Sequence, residues 1–572
     1  MASGFNPQLW DLAARQAWRR VRRRLRAGPA YRWRYTGRTP ERLLIAPPDL
    51  RLADPQIARE IYHGRFLLAG QLVETGGQSP FQMDVRNQAW LEELHGFRWL
   101  RHLNAARSDL ASANARALVA DWIGTHGRRI SGVAWNPAVV ARRIIAWLQH
   151  SAVVLQGADL AAYRQFLKTI AIQVRFLRSV AGEMPDGEEK LRARMALAFA
   201  ALSLPTPISA LRNATRNLSS ELERQILPDG GHSSRNPRAI IELLADLLPL
   251  RQTYANQSEP PSEALVGAVE RMLPALRFFR HRDGTLARFN GMGVTVHDRV
   301  AAILRHDDTV GAPLSHAPYS GYERLATGTT TVIADTAAPP APELSSMANA
   351  GCLSFEMSSG RHQFIVNCGV DSFGEEAFRP LARATAAHTT ATVNDTSQAR
   401  FALPAGWDDW IGTPLVKGPR SVACRRIDDA GMLGFIASHD GYADRFGLIH
   451  ERRLTLSPDG LRIDGVDRFH RPDGSAPEQS AVVALRFHIH PDIELYRDDE
   501  GMLYLAGEGT DTWSFSCDGL EPVVEESIFF AAVAGPCRSR QIVLHLNAVE
   551  RTQVPWRLTC TYRSTARSNL PS

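Results

Sequence analysis

Hydrophobic and polar positions change period once along this chain. Up to about residue 310, apolar residues recur every three or four positions. In AWLEELHGFRWLRHLNAA (89–106), Trp90, Leu94, Phe97 and Leu100 fall on one stripe, which predicts an amphipathic helix. NPAVVARRIIAWLQHSAVVL, AAYRQFLKTIAIQVRFLRSVA, EKLRARMALAFAALSL, PRAIIELLADLLPLRQTY and SEALVGAVERMLPALRFFRH repeat the pattern, with short gaps rich in Gly, Pro and Asn. Successive antiparallel helices of this length form a bundle, a solenoid or a closed toroid. Beyond about residue 310 the period becomes two. TTTVIADT, GCLSFEMS, RHQFIVNCG, TATVND, RRLTLS, LRIDGVDRF, AVVALRFHIH, GMLYLAG, TWSFSC and QIVLHLN read as short strands. Turn sequences such as SSGR, SPDG and RDDEG separate them, so the second half predicts an antiparallel β-sandwich. The organisation expected is α+β and multidomain: a basic amphipathic segment (1–40), a helical domain (41–310) and a β domain (311–572).

The leading segment has its own pattern. Trp10, Ala14, Trp18, Val21 and Leu25 share one helical stripe, while Arg15, Arg19, Arg20, Arg22, Arg23, Arg24 and Arg26 cover the remainder. Such a helix would lie on an anionic membrane face or grip an acidic polymer. The plainer alternative is a leading helix packed on the helical domain with a solvated arginine face.

Composition narrows the classes. In 572 residues, 44% are hydrophobic and 22% charged, which excludes wholesale disorder, collagen-like sequence and a disulfide scaffold. No apolar run reaches the roughly 18 residues a membrane helix needs. The net charge of +6 agrees with an anionic substrate or surface but is too weak to imply nucleic acid. All six cysteines lie in the second half and none forms a CxxC pair, so zinc-ribbon and thioredoxin-like readings fail. The start carries charge without an apolar stretch or a small-residue cleavage site, unlike a secretory signal. No Walker loop, HExxH or G-x-S-x-G is present, and GMGVTV lacks the third glycine of a dinucleotide fingerprint. His488 and His490 share a strand face without a third ligand in view. No cofactor and no metal are therefore expected.

Several segments together resemble the heparinase II/III family of polysaccharide lyases. They are WLEELHGFRWLRHL, WNPAVVARRIIAWL (135–148), PDGGH…RNP (228–237), GCLSFEMSSGRHQFIVNCG, LARATAAHTTATVND, HDGY (439–442) and HERRLTL, in that order. The resemblance implies an incomplete α/α toroid followed by an antiparallel β-sandwich, with a glycan cleft between them. It implies β-elimination on an acidic, uronate-bearing polysaccharide, and hence a carbon–oxygen lyase. In that reaction a base removes the proton beside the carboxylate, a cation or amide stabilises the enolate, and an acid protonates the leaving oxygen. It also implies a cell-envelope or periplasmic location, against which the unsignalled start favours the cytoplasm. The chain departs from the family pattern at several positions. The family's Asn-His pair falls on Glu189-Lys190, its toroid tyrosine on Ala239, two histidines on Met347 and Asn349, and a metal-binding carboxylate on Asn367; His388 is retained.

The candidate chemistry follows from what remains. In PDGGHSSRNP, a tight turn would present His232 as base with Arg235 and Asn236 neutralising a carboxylate; equally, it reads as a well-capped turn between helices. His388 in AAHTTATV is the next candidate, or a half-buried strand histidine whose face it shares with Thr390 and Thr392. Tyr442 in SHDGYAD would serve as base or acid, or else follow a hairpin turn at Asp440-Gly441. Arg86, Trp135, Asn136 and Arg142 would line the toroid side of the cleft, although a tryptophan in a helical stripe also suits a core. Glu189 and Lys190 read as a solvated helix start. The expected partners are an acidic polysaccharide, an anionic membrane surface through residues 1–30, or a glycan bound without cleavage.

Overall fold

The computed structural model describes residues 7–28, 35–257, 259–307, 312–371, 378–402, 412–429 and 431–564. The helical half comprises α1 (Pro7–Ala27), α2 (Pro55–Tyr62), α3 (Gln88–Gly96), α4 (Leu100–Ala106), α5 (Asp109–His126), α6 (Pro137–Gln149), α7 (Ser151–Leu155) and α8 (Leu160–Val180). It continues with α9 (Glu188–Ser203), α10 (Ile208–Gln225), α11 (Pro237–Asn256), α12 (Glu263–Phe278) and α13 (His297–Leu304). Local chemistry starts several of these helices. Asn136 and Asn236 each accept a backbone N–H from the first turn, and a proline follows each at the first helical position.

The continuous helix predicted over 89–106 breaks in two. Phe97 takes a left-handed conformation (φ 60°) and caps α3, its N–H reaching the Leu94 carbonyl. All four stripe residues are nonetheless fully buried, so the break turns the chain without exposing the apolar face. The stretch from residue 136 likewise divides at His150 into α6 and α7. Trp90, Phe97, Trp122, Trp147 and Phe166 form much of the helical core. Arg143 is fully buried among them and donates to Gln173 Oε1 (2.7 Å), the Ala134 carbonyl (2.8 Å) and the His95 carbonyl (3.0 Å), with its guanidinium over Trp122. Such a group is tolerated inside because carbonyls and a ring face replace its water.

The β half forms two large antiparallel sheets among the described residues. One has eight strands, from Val422–Asp429 at one edge to Glu494–Arg497 at the other; the second has nine, from Val523–Phe529 to His316–Ala317. Their inner faces share a core that includes Phe355, Phe487, Phe515 and Trp556. Gly465 is required there, because a Cβ on it would lie 2.0 Å from the Trp556 ring. The Asp440-Gly441 pair does not make the expected hairpin turn. Both residues lie within the strand Met432–Tyr442, and the chain turns one step later, at Ala443–Phe446 and Gly447 (φ 65°). The helical half and the nine-stranded sheet meet directly. Arg324 donates to the carbonyls of Phe278 and Arg280, and His281 contacts Ser358 and Glu356.

α1 lies against the helical half with its apolar stripe turned away from it. Leu12 and Ala13 are buried, whereas Trp10, Trp18, Val21 and Leu25 are 51%, 62%, 48% and 61% exposed. Arg22 and Arg26 instead face the body and pair with Glu183. The plain reading of a helix packed on the helical domain with a solvated arginine face holds in part: the helix does pack there, but through Leu12, Ala13, Arg22 and Arg26 rather than through its apolar stripe. The side chains of Arg23 and Arg24 lie outside the described residues.

Candidate functional site

A cavity of about 360 Å³ opens between the helical half and the sandwich. The first turns of α11 supply Arg238, Ile241 and Glu242; residues 292–299 supply Met292, Val294, Val296 and Arg299; the sandwich side supplies Val370, Phe378, Arg379 and Arg383. Its arginines are largely committed. Arg299 hydrogen-bonds Glu242, which also lies 3.5 Å from Arg98. Burial alone would raise the Glu242 pKa, but Arg299, Arg98, Arg51 and Arg192 hold it well below the ordinary carboxylate range. Arg383 donates to the carbonyls of Ser345, Ala348 and Thr413 and lies over the Phe401 ring; burial lowers it to about 9. Arg379 reaches the Ser346 carbonyl at 2.9 Å.

Deeper in the helical half, charges pair continuously. Asp246 binds Arg51 (2.7 Å) and Arg192 (3.2 Å), while Glu189 binds Arg192 (2.8 Å) and Arg142 (2.5 Å). The reading of Glu189 and Lys190 as a solvated helix start is therefore corrected. Lys190 is buried and pairs with Asp186, and Glu189, half-buried, is ion-paired rather than free in solvent: the arginines around it outweigh burial and hold it at about 2. Arg142, expected to meet a ligand, is held by Glu189 and Glu92 at this inner network.

The other sequence candidates are dispersed. His232 is 1% exposed; its Nδ1 accepts the Ser234 N–H (3.1 Å) and its Nε2 faces Gln225 Oε1 (2.9 Å), so both ring nitrogens are engaged. Burial lowers it to about 4. Arg235 adopts φ 58° and turns into the junction, donating to the carbonyls of Ser320, Gly321, Ala337 and Ala338 and to Asp335 at 2.5 Å. Burial disfavours the charged Arg235, and the Asp335 carboxylate more than offsets it. Asn236 caps α11 through Arg238 N. His388 precedes the strand Ala391–Val393 rather than lying within it; Nδ1 donates to the Ala384 carbonyl (2.8 Å) and Nε2 accepts from Asn349 Nδ2 (2.9 Å). Burial lowers it, too, to about 4. Tyr442 is buried, donates to the Ala391 carbonyl (2.7 Å), and is raised by burial. Trp135 is core, its Nε1 bonded to the His126 carbonyl. Arg86 is exposed in the loop before α3.

Of these residues, none is among the described lining of the cavity. A general base needs an accessible lone pair and a pKa near the working pH. The His232 and His388 rings offer neither in this arrangement, and Tyr442 has no route to solvent. The positions that resemble a family metal site do not fit a metal. Asn349 and Asn367 carry no charge, Asn349 already bonds His388, and Asn367 Oδ1 accepts the Thr389 N–H. Among the described residues no group of three or more His, Cys, Asp or Glu converges as metal ligands would. Sequence reasoning missed Glu242, Arg299 and Arg379. One usable signal was Arg238 and Glu242, four apart at the start of the helix that follows PDGGHSSRNP.

The description "Heparinase II/III-like, C-terminal" matches residues 309–557. FtsZ-localized protein C of Caulobacter vibrioides (strain NA1000 / CB15N) is 30% identical over 567 residues, covering 96% of each chain. The chain belongs to the heparinase II/III-like family. Solved structures share this fold. Heparinase III superposes with a TM-score of 0.69 at 14% identity over 94% of this chain and 89% of that one. A heparan sulfate lyase HepC mutant from Pedobacter heparinus gives 0.63 at 16% identity over 93% and 88%. The cavity thus lies between the helical and β halves of a heparinase II/III-like protein, and this member closes much of its polar lining with its own carboxylates and carbonyls.

Proposed function

We propose that this chain uses its lyase-type fold as a scaffold that docks on a lipid surface through α1 and acts where FtsZ assembles. The observation that carries the reading is the outward stripe of Trp10, Trp18, Val21 and Leu25 on an arginine-rich helix fixed to the body. Exposed large apolar side chains aligned on one helix face belong to an interface, and tryptophan beside arginine suits the boundary between acyl chains and headgroups. No described helix is long and apolar enough to cross a membrane, so the contact would be peripheral. The name of the Caulobacter relative supports the partnership, because its match runs nearly end to end. A place on a membrane face of the cell envelope follows from this reading.

The test is co-sedimentation with vesicles of phosphatidylcholine and phosphatidylglycerol, with and without FtsZ. The intact protein is expected to pellet with vesicles and to carry FtsZ with it, while the Trp18→Ser/Leu25→Ser variant stays in the supernatant. Equal pelleting of both proteins would overturn the reading.

The second reading is β-elimination on an acidic glycan, favoured by the position of the cavity and by Arg238 at its wall. It is tested by absorbance of an unsaturated uronate during incubation with heparan sulfate, alginate and hyaluronan. On the scaffold reading there is no rise, and a non-cleaved glycan is at most bound.

A further inference from the structure

The arginines of α1 have a partner inside this molecule. Arg15, Arg19, Arg22 and Arg26 follow one another at spacings of four, three and four, so they share one face. On that face Glu183 Oε1 receives Arg22 at 2.9 Å and Arg26 at 2.7 Å. Arg26 also hydrogen-bonds the Ser179 carbonyl, and the Tyr35 hydroxyl ties the Arg26 carbonyl to Ser179 Oγ. Arg19 adds to the cations around Asp186, while Arg15 is exposed and pairs with Asp11 one turn earlier on α1 itself. Arg22 and Arg26 therefore reach the protein while the tryptophan stripe is exposed on another face of the helix.

We infer that Glu183 is a positioning residue that clasps α1 to the helical half, so that the tryptophan stripe meets a lipid surface with the body held at one orientation. This rests on the lipid-docking reading of α1. The reasoning is geometric: one carboxylate, 24% exposed, holds two arginines one helical turn apart, and the neighbouring carbonyl fixes the second. An anionic lipid headgroup competes for the same two guanidinium groups. The clasp therefore withholds cationic attraction from the membrane in exchange for a fixed docking angle.

Two variants break this contact with opposite effects on charge. Glu183→Gln frees both arginines and is expected to tighten binding to phosphatidylcholine/phosphatidylglycerol vesicles about five-fold per arginine. Arg22→Gln/Arg26→Gln is expected to leave binding no tighter than in the intact protein. Orientation is read by energy transfer from a dye on the exposed Cys424 to acceptor lipids, with Cys517, Cys537 and Cys560 replaced by serine. The unaltered clasp gives one narrow transfer efficiency, and both broken forms give a broad distribution. If both variants keep the narrow distribution while the intact protein binds vesicles, the clasp is refuted and lipid docking stands. If the intact protein does not bind vesicles, both readings fall together.

Discussion

Arg235 was a candidate to neutralise a substrate carboxylate, and the structure assigns it a different load. Replacing it with alanine removes a buried ion pair to Asp335 and four hydrogen bonds to carbonyls at the junction of the two halves. Asp335 is 4% exposed and would keep only Asn290 Nδ2 at 3.2 Å and the Ala337 N–H at 3.3 Å. Breaking one side of a buried pair costs roughly 3–5 kcal/mol because the other charge stays buried. The carbonyls would add about 1 kcal/mol each if left dry, but water entering the vacated volume would recover part of that. The expected loss for Arg235→Ala is therefore about 4–6 kcal/mol. Arg235→Met/Asp335→Asn removes the stranded charge as well, and should recover about 2 kcal/mol relative to the sum of the single changes. The assay is urea unfolding followed by tryptophan fluorescence, with each transition fitted separately because the two halves need not unfold together. A loss below about 1 kcal/mol for Arg235→Ala, with an accompanying loss of glycan affinity, would refute the structural role and restore the ligand-binding one.

Acidification should destabilise the fold through His232 and His388, which are buried, neutral and both lowered to about 4 from an ordinary 6.5. The unfolded chain takes up these protons first, so their stabilisation is complete above about pH 6.5 and is lost as pH falls through 4, up to about 3 kcal/mol each. The His232→Gln/His388→Gln variant should show a shallower decline in unfolding midpoint across that window, and an unchanged slope would count against the assignment. Gly465→Ala should cost more than about 2 kcal/mol by overpacking against Trp556, measured by thermal unfolding; a near-neutral result would mean the indole can move. Glu242→Gln should raise the affinity for an acidic oligosaccharide if Glu242 keeps Arg299 and Arg98 from external anions; calorimetric titration showing no gain would show that the cavity does not read carboxylates.

Much of the architecture was legible because period is a direct record of burial. The change from three-or-four to two near residue 310 falls between α13, which ends at Leu304, and His316–Ala317, the first strand of the two large sheets; the short hairpin Arg65–Leu68 with Gln71–Glu74 inside the helical half gave no such signal. Local backbone detail was less legible. Phe97 in a left-handed cap and Asp440-Gly441 inside a strand both go against local propensity, and tertiary packing decided them. The site was harder still. A histidine in a polar loop is the same string whether it faces a cleft or turns inward to a glutamine seven residues back, as His232 does to Gln225. The alternative reading of PDGGHSSRNP as a capped turn describes its backbone: Asn236 caps α11 and Gly230, at φ 83°, sits where a Cβ would strike the Arg271 carbonyl. Long-range pairs such as Arg299 with Glu242 leave no mark in sequence spacing, and neither does Glu183 beneath an arginine helix more than 150 positions earlier.

The buried acid–base groups and the exposed tryptophans bear on one question from opposite ends. A lyase must hold its base and its carboxylate-neutralising cation open to a polymer, which means leaving polar groups unpartnered until substrate arrives. Here Arg235 has five hydrogen bonds, His232 and His388 have both ring nitrogens occupied, and Glu242 already lies between two arginines. Each such bond stabilises the junction and raises the cost of clearing the groups for chemistry. The large apolar side chains on α1 show the converse, since leaving Trp18 and Leu25 in water gains the isolated fold nothing. Stability has been built where a lyase would keep reactive groups free, and exposure is kept where a folded monomer would bury its apolar surface. On the lipid-docking proposal, that distribution places the binding surface at α1, and the vesicle and uronate-absorbance assays decide between it and the cleft.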